Sequence, residues 1–209
     1  MKFRSLVLFS TAALILLAVP AQAGRYGTTS TCEVNGISYT VTISGTDSAE
    51  TINGTSGNDV IDPKGGDDFV DAKGGADKVC ASAGDDEIYG GGDVDRLDGG
   101  NGLDHLYGEA QDDYLFGSAD QDLLSGGDGN DDLSGGASSD SLWGGIGDDW
   151  IDADGGTNDD AHGEGGADSL DHVYDSPANN ATADGGAGNS DACSVTYGGG
   201  RTNCEYSLL

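Results

Sequence analysis

Gly126-Gly127-Asp128-Gly129-Asn130-Asp131-Asp132-Leu133-Ser134 is the stretch that decides the fold. It has small, turn-forming residues in its first five places, an acid in the sixth and an aliphatic residue in the eighth. Cutting the chain every nine residues from Gly45 reproduces this layout twelve times, without insertion or deletion, as far as Asp152. The sixth place holds Glu50, Asp59, Asp68, Asp77, Asp86, Asp95, Asp104, Asp113, Asp122, Asp131, Asp140 and Asp149. The eighth holds Ile52, Ile61, Val70, Val79, Ile88, Leu97, Leu106, Leu115, Leu124, Leu133, Leu142 and Ile151. Two chemically opposite positions kept through every repeat are order, not low-complexity drift.

Positions 7 to 9 predict a three-residue strand with the eighth side chain inward and its neighbours outward. Positions 1 to 6, rich in Gly, Asn and Asp, predict a tight turn. One turn reverses the chain and two bring it back, so a full coil is two repeats and residue i stacks under i+18. The expected fold is all-β: a right-handed parallel β-roll, a solenoid with a thin aliphatic core, two columns of turns, and caps at both ends. Stacked acids then lie about 4.8 Å apart. Two carboxylates at that distance repel by roughly 1 kcal/mol in bulk water and about 3 kcal/mol at an effective dielectric near 20. One aliphatic residue per nonapeptide contributes only about 1.5–3 kcal/mol, so the bare roll is expected to need cations between its acids.

The charge points the same way. The sequence has a formal net charge of −30, a surface that repels nucleic acid and anionic membranes and attracts cations. The repeating ligand set is carboxylates and turn carbonyls, without His or thiolate. Hard oxygen donors in flexible turns favour Ca2+ over zinc, copper or the rigid octahedron of magnesium.

The repeat Gly126–Ser134 fits GGxGxDxUx and resembles the nonapeptide of the repeats-in-toxin (RTX) family, also called haemolysin-type calcium-binding repeats. The resemblance covers about residues 45–171. It implies that position-6 Asp residues and turn carbonyls of stacked repeats ligate calcium between coils. One edge would use Asp59, Asp77, Asp95, Asp113, Asp131 and Asp149, the other Asp68, Asp86, Asp104, Asp122 and Asp140, which makes about nine inter-coil ions. Asp168, in the resumed repeat Gly163–Asp171, joins the metal set. Glu50 departs by a longer side chain. Position 4 departs at Ser48, Asp93, Gln111, Asp120 and Ser138, where the turn geometry is in question. The resemblance implies calcium binding. Family members often attach the roll to a protease, lipase or pore-forming domain, but with no catalytic constellation visible the chain reads as a structural or interaction protein rather than an enzyme. No nucleophile–His–acid spacing or phosphate loop is evident; the rival readings are a calcium-dependent adhesin and an accessory module of a secreted enzyme or toxin. Ice binding would want outward rows of Thr and Asn, which position 5 lacks.

The remaining segments read as follows. Lys2 and Arg4, the apolar run Leu6–Val19 and Ala21-Gln22-Ala23 have the layout of a secretory signal peptide. This predicts a mature chain from Gly24, secreted, with no membrane insertion. Residues 24–44, where Ile37, Tyr39, Val41 and Ile43 alternate, read as an N-terminal capping strand. Residues 172–209 read as a C-terminal cap containing a hairpin. Four cysteines in an exported chain admit three pairings. Cys193 and Cys204 flank the expected hairpin turn at 197–201, and pairing them leaves Cys32 for Cys80. Residues 153–162 look like a repeat with one extra residue, in which Asp159 or Asp160 takes the acidic place and Ala161 the core place. Outward aromatic residues, among them Tyr89, Tyr107 and Trp143 on one face and Tyr114, Phe116 and Trp150 near Arg96 on the other, read either as a binding surface for glycan or protein or as a ladder that stabilises the sheet. His162 and Glu164 read as a solvated loop rather than a metal or catalytic pair. Asn53 and Asn180 are glycosylation acceptors by pattern alone.

Overall fold

The computed structural model describes residues 31–174, 182–188, 191–196, 200–202 and 204. The expected signal peptide, the mature start at Gly24 and Asn180 lie outside the described residues. Among those described there is no helix. The chain forms two nine-stranded parallel sheets and one antiparallel hairpin.

Successive nonapeptides alternate between the sheets. One sheet is built in order from β3 (Ile43–Ser44), β5 (Val60–Asp62), β7 (Lys78–Cys80), β9 (Arg96–Asn101), β11 (Tyr114–Ala119), β13 (Asp132–Gly136), β15 (Trp150–Asp152), β17 (Ser169–Tyr174) and β19 (Ala192–Thr196). The other is built from β4 (Thr51–Asn53), β6 (Phe69–Asp71), β8 (Glu87–Gly92), β10 (His105–Ala110), β12 (Leu123–Asp128), β14 (Ser141–Ile146), β16 (Asp160–Gly165), β18 (Thr182–Asp184) and β20 (Gly200–Thr202). Leu106 pairs with Leu124 and Leu115 with Leu133, the expected register of eighteen. Every position-8 side chain from Ile52 to Ile151 is buried in one continuous core between the sheets, joined by Ala161 and Leu170.

Four features depart from the expectation. From β8 to β14 the strands run to five or six residues rather than three, because positions 2 and 3 of the next repeat pair as well. In the pairing of β10 with β12, Glu109 aligns with Gly127 and Ala110 with Asp128, while Gly108 is skipped. The turn also demands left-handed backbone at two places. Position 4 keeps it without glycine at Asp93, Gln111, Asp120 and Ser138 (φ 72° to 96°), so those departures preserve the geometry. Position 2 adopts it at Lys64, Lys73, Ser82, Glu109 and Ser118. A non-glycine residue there costs about 1–2 kcal/mol, which the stacked neighbours hold in place.

The N-terminal alternation is not one strand across the end of the roll. Tyr39 belongs to β2 (Ile37–Thr40), which pairs antiparallel with β1 (Thr31–Val34), and Ile43 opens the first coil. β1 packs on the outward face of β5, β7 and β9. Cys32, Val34 and Cys80 are buried there with Tyr39, Val41, Val60 and Phe116, a second apolar cluster on the outside of the sheet.

Among the described residues β19 and β20 do not pair as the expected C-terminal hairpin, whose turn residues 197–199 lie outside them. β19 continues one sheet beside β17 and β20 the other beside β18, both parallel, so the two are successive rungs of the solenoid. The expected disulfides form, Cys32 with Cys80 and Cys193 with Cys204, at Cα separations of 5.7 and 5.8 Å. The second lies against the main core.

Candidate metal centre

Each position-6 residue immediately precedes a strand, where the turn hands the chain into the sheet. From Asp59 to Asp168 all twelve predicted site residues are buried. The stacking carries them into two columns. Asp59, Asp77, Asp95, Asp113, Asp131, Asp149 and Asp168 run along one edge, and Asp68, Asp86, Asp104, Asp122 and Asp140 along the other.

Within a column, the backbone N–H of each Asp donates to Oδ1 of the Asp one coil later. Asp77 donates to Asp95 at 2.8 Å, Asp95 to Asp113 at 2.7 Å, Asp113 to Asp131 at 2.8 Å and Asp131 to Asp149 at 2.8 Å. The other edge repeats this from Asp68 through Asp86, Asp104 and Asp122 to Asp140 at 2.7 to 2.9 Å. Oδ1 is thus committed to tying coils together. Oδ2 is not: in Asp68, Asp77, Asp86, Asp95, Asp104, Asp113, Asp122, Asp131, Asp140, Asp149 and Asp168 it is buried without a hydrogen-bond partner. A buried carboxylate oxygen left unpaired is costly, so each marks a place where a further partner belongs.

Asp59 is the exception. Its Oδ2 accepts from Thr55 N–H at 2.7 Å and from Thr55 Oγ1 at 2.9 Å. Glu50 behaves similarly, with Oε2 accepting from Thr46 N–H at 2.8 Å.

Position 1 shows why glycine recurs there. A Cβ on Gly108 would lie 2.5 Å from Asp113 Oδ2 and 2.6 Å from the carbonyl oxygen of Gly126 on the next coil. At Gly117 the corresponding distances are 2.5 Å to Asp122 Oδ2 and 2.6 Å to Gly135 O. The missing side chain leaves a cradle bordered by one free carboxylate oxygen and one main-chain carbonyl. Among the described residues no three His, Cys, Asp or Glu side chains converge as a metal cluster, so carbonyls must complete any coordination sphere. The donors are all oxygen, the chemistry that suits Ca2+, and the unpaired oxygens and open cradles fit such an ion.

Burial dominates the acidity of these carboxyls. It pushes Asp113 and Asp122 up to about 8 and Asp86, Asp95, Asp140 and Asp149 up to about 7, and stacked neighbouring carboxylates add to the rise. The N–H donated from the preceding coil opposes it. Without a cation, these acids tend to keep their protons near neutrality.

Two members of the acid columns were not in the predicted set. Asp159 is buried and accepts from Asp140 N–H at 3.1 Å, which resolves the choice between Asp159 and Asp160. Asp191 is buried and accepts from Asp168 N–H at 3.1 Å. The extra residue in 153–162 makes the first step nineteen rather than eighteen, and the second is twenty-three, so a strict period misses both.

The outward residues form ladders. Tyr89 stacks on Tyr107 with ring centroids 4.7 Å apart, Phe69 tilts against Tyr89, and Arg96 lies 4.0 Å over Tyr114. His162 is on β16 rather than in a loop: it stacks on Trp143 and its Nε2 lies 3.0 Å from Asp160.

A family model of the RTX calcium-binding nonapeptide repeat (4 copies) matches residues 44–79, 81–106, 89–124, 98–133 and 125–159, more than half of the chain. No curated protein matches it significantly. The repeats, their stacking and this match together make the chain a member of the RTX calcium-binding nonapeptide repeat family.

Proposed function

We propose that the chain is an exported structural protein whose roll folds as calcium ions bind between successive coils. The ligands in this reading are the carboxylates of the position-6 aspartates, from Asp59 to Asp149 with Asp168, through an Oδ2 that is unpaired in all of them but Asp59, and neighbouring turn carbonyls. About nine inter-coil ions follow. The observation that carries the reading is the double column of buried carboxylates, each with one oxygen bonded to the adjacent coil and, in Asp68 to Asp149 and in Asp168, the other unpaired. Extracellular calcium modules bind with dissociation constants of about 10⁻⁴–10⁻³ M. At millimolar calcium each such site adds roughly 0.4–1.4 kcal/mol, and several sites reach the usual stability of a domain.

Export is supported by the leader-like composition of residues 1–23 and by two disulfides, which persist in oxidising compartments where calcium is plentiful. Stacked rings such as Tyr89 and Tyr107 cover each other's faces. This favours the sheet-stabilising ladder over a glycan platform on that face, because a sugar needs an open ring face.

The test is circular dichroism of the exported chain titrated with calcium and then with chelator. We expect β signal to rise at millimolar calcium and fall on chelation; an unchanged spectrum rejects the reading. Asp113→Ala should lower the calcium stoichiometry, since its carboxylate sits between those of Asp95 and Asp131.

A further inference from the structure

We propose that the first coils, up to about Tyr89, fold without calcium and seed the calcium-dependent stacking of the coils that follow. The proposal rests on the calcium reading above and divides the acid columns into two parts.

Four observations separate the early coils. The first is the state of the cradle. Position 1 is Pro63, Ala72 and Ala81 in three successive repeats. Their Cβ atoms stand where later coils leave space beside Gly108 and Gly117, and Ala72 and Ala81 are fully buried in the core.

The second is built-in positive charge. Lys73 Nζ donates to the carbonyl oxygen of Gly54 at 2.9 Å, a position-1 carbonyl of the class that borders the later cradles. Lys64 Nζ sits 2.9 Å from Asp62 Oδ2, and Lys78 Nζ donates to Ala76 O at 3.1 Å. An ammonium on these oxygens supplies part of what an ion would supply. No Lys or Arg lies between Arg96 and Arg201, so the later coils have only external cations to draw on.

The third is that the two acids that open the columns are already satisfied, Glu50 by Thr46 and Asp59 by Thr55, whereas an unpaired Oδ2 begins only at Asp68. The fourth is the hairpin. β1 packs on β5, β7 and β9 and is bonded to β7 through Cys32–Cys80, giving the early coils an apolar cluster on their outer face. The bond closes a loop of 48 residues, which restrains the unfolded chain.

The direction of growth follows from the ladder. Each Asp N–H waits for the carboxylate of the coil that follows it, so a folded early coil offers donors to the next one.

The experiment is hydrogen–deuterium exchange on the full-length, disulfide-bonded protein in chelator and in millimolar calcium. In chelator, the amides of β5, β6 and β7 should exchange at least about tenfold more slowly than those of β10 to β14. Calcium should then slow exchange in β10 to β14. Equal exchange along the chain in chelator overturns this proposal and leaves calcium-driven folding standing. Exchange that calcium changes nowhere overturns the calcium reading itself. Lys73→Met keeps the aliphatic stem and removes the ammonium. It should bring exchange of β5 to β7 in chelator towards that of the later coils, and unchanged protection there would exclude the lysine as a substitute cation.

Discussion

From Val70 to Ala81 the roll sends two side chains per nonapeptide inward: Val70 is followed by Ala72, and Val79 by Ala81. From Gly90 to Asp152 the position-8 residue stands alone in the core, flanked by glycine at position 1. The strands respond in the opposite sense, three residues long in β4 to β7 and five or six in β8 to β14. Early coils therefore hold together through side chains, lysines and a disulfide. Late coils hold together through main-chain pairing around acids whose second oxygen is left open. One repeat thus supports two ways of offsetting the conformational entropy of a thin solenoid: a slightly thicker core, or edges that take an ion.

The widest gap between the two regions should open with pH in the absence of calcium. Burial places Asp113 and Asp122 at about 8 and Asp104 and Asp131 at about 6, against about 3.9 in the unfolded chain. The folded state then binds more protons than the unfolded state between those values, so stability falls as pH rises. It is greatest below about pH 4 and is lost progressively as pH climbs through 6 to 8. Chelated protein should gain β signal on acidification, most strongly in the strands that follow Asp113 and Asp122, because Asp77 and Asp86 of the early coils reach only about 6 and 7. Exchange read at several pH values checks this. A calcium-free spectrum that does not change between pH 4 and 8 would remove this part of the contrast.

Core truncation should come next. Leu115→Ala removes a fully buried side chain from a coil with no second core residue and should cost about 2–5 kcal/mol in calcium-loaded denaturation. Val70→Ala, beside Ala72, removes fewer methyl groups and should cost less. Equal losses would mean the early core is no thicker in energy than the late one. Replacing Cys32 and Cys80 together by Ser should cost about 2–4 kcal/mol in the resistance of the early coils to denaturant, while the midpoint of the calcium titration of the late coils moves little. Ser138→Gly is the smallest change: it relieves a left-handed backbone at φ 96° and should raise the thermal midpoint by an amount equivalent to about 1 kcal/mol.

Strict periodicity made the roll readable. Positions 6 and 8 of the nonapeptide report the acid columns and the core, and a period of nine with one inward residue leaves a two-repeat coil as the simplest closure. Irregular geometry was not readable. Nothing in Lys64, Lys73 or Glu109 as residue types announces a left-handed backbone at position 2, because the stacked neighbours impose it. Asp159 and Asp191 fall outside a fixed step of eighteen. β1 docks on the flank of the sheet because the side chain of Cys80, at position 9, points outward. Alternation at 37–43 reports a strand but not which surface it covers. The pair β19 and β20 reads as a hairpin because glycines between two cysteines look like a reversal, whereas the lateral pairing that makes them rungs comes from β17 and β18, far back along the chain.

The donation from one Asp N–H to the carboxylate eighteen residues on also sets the molecule's unit of length. Gaining or losing two adjacent nonapeptides leaves every downstream acid on its own edge and every aromatic residue on its own face. Gaining or losing one transfers all of them to the opposite side; one inserted repeat, for example, puts Trp143 in the place of Asp152, on the face from which Trp150 now looks out. Variants of this roll should therefore differ in whole coils, as a ruler is cut only at its marks.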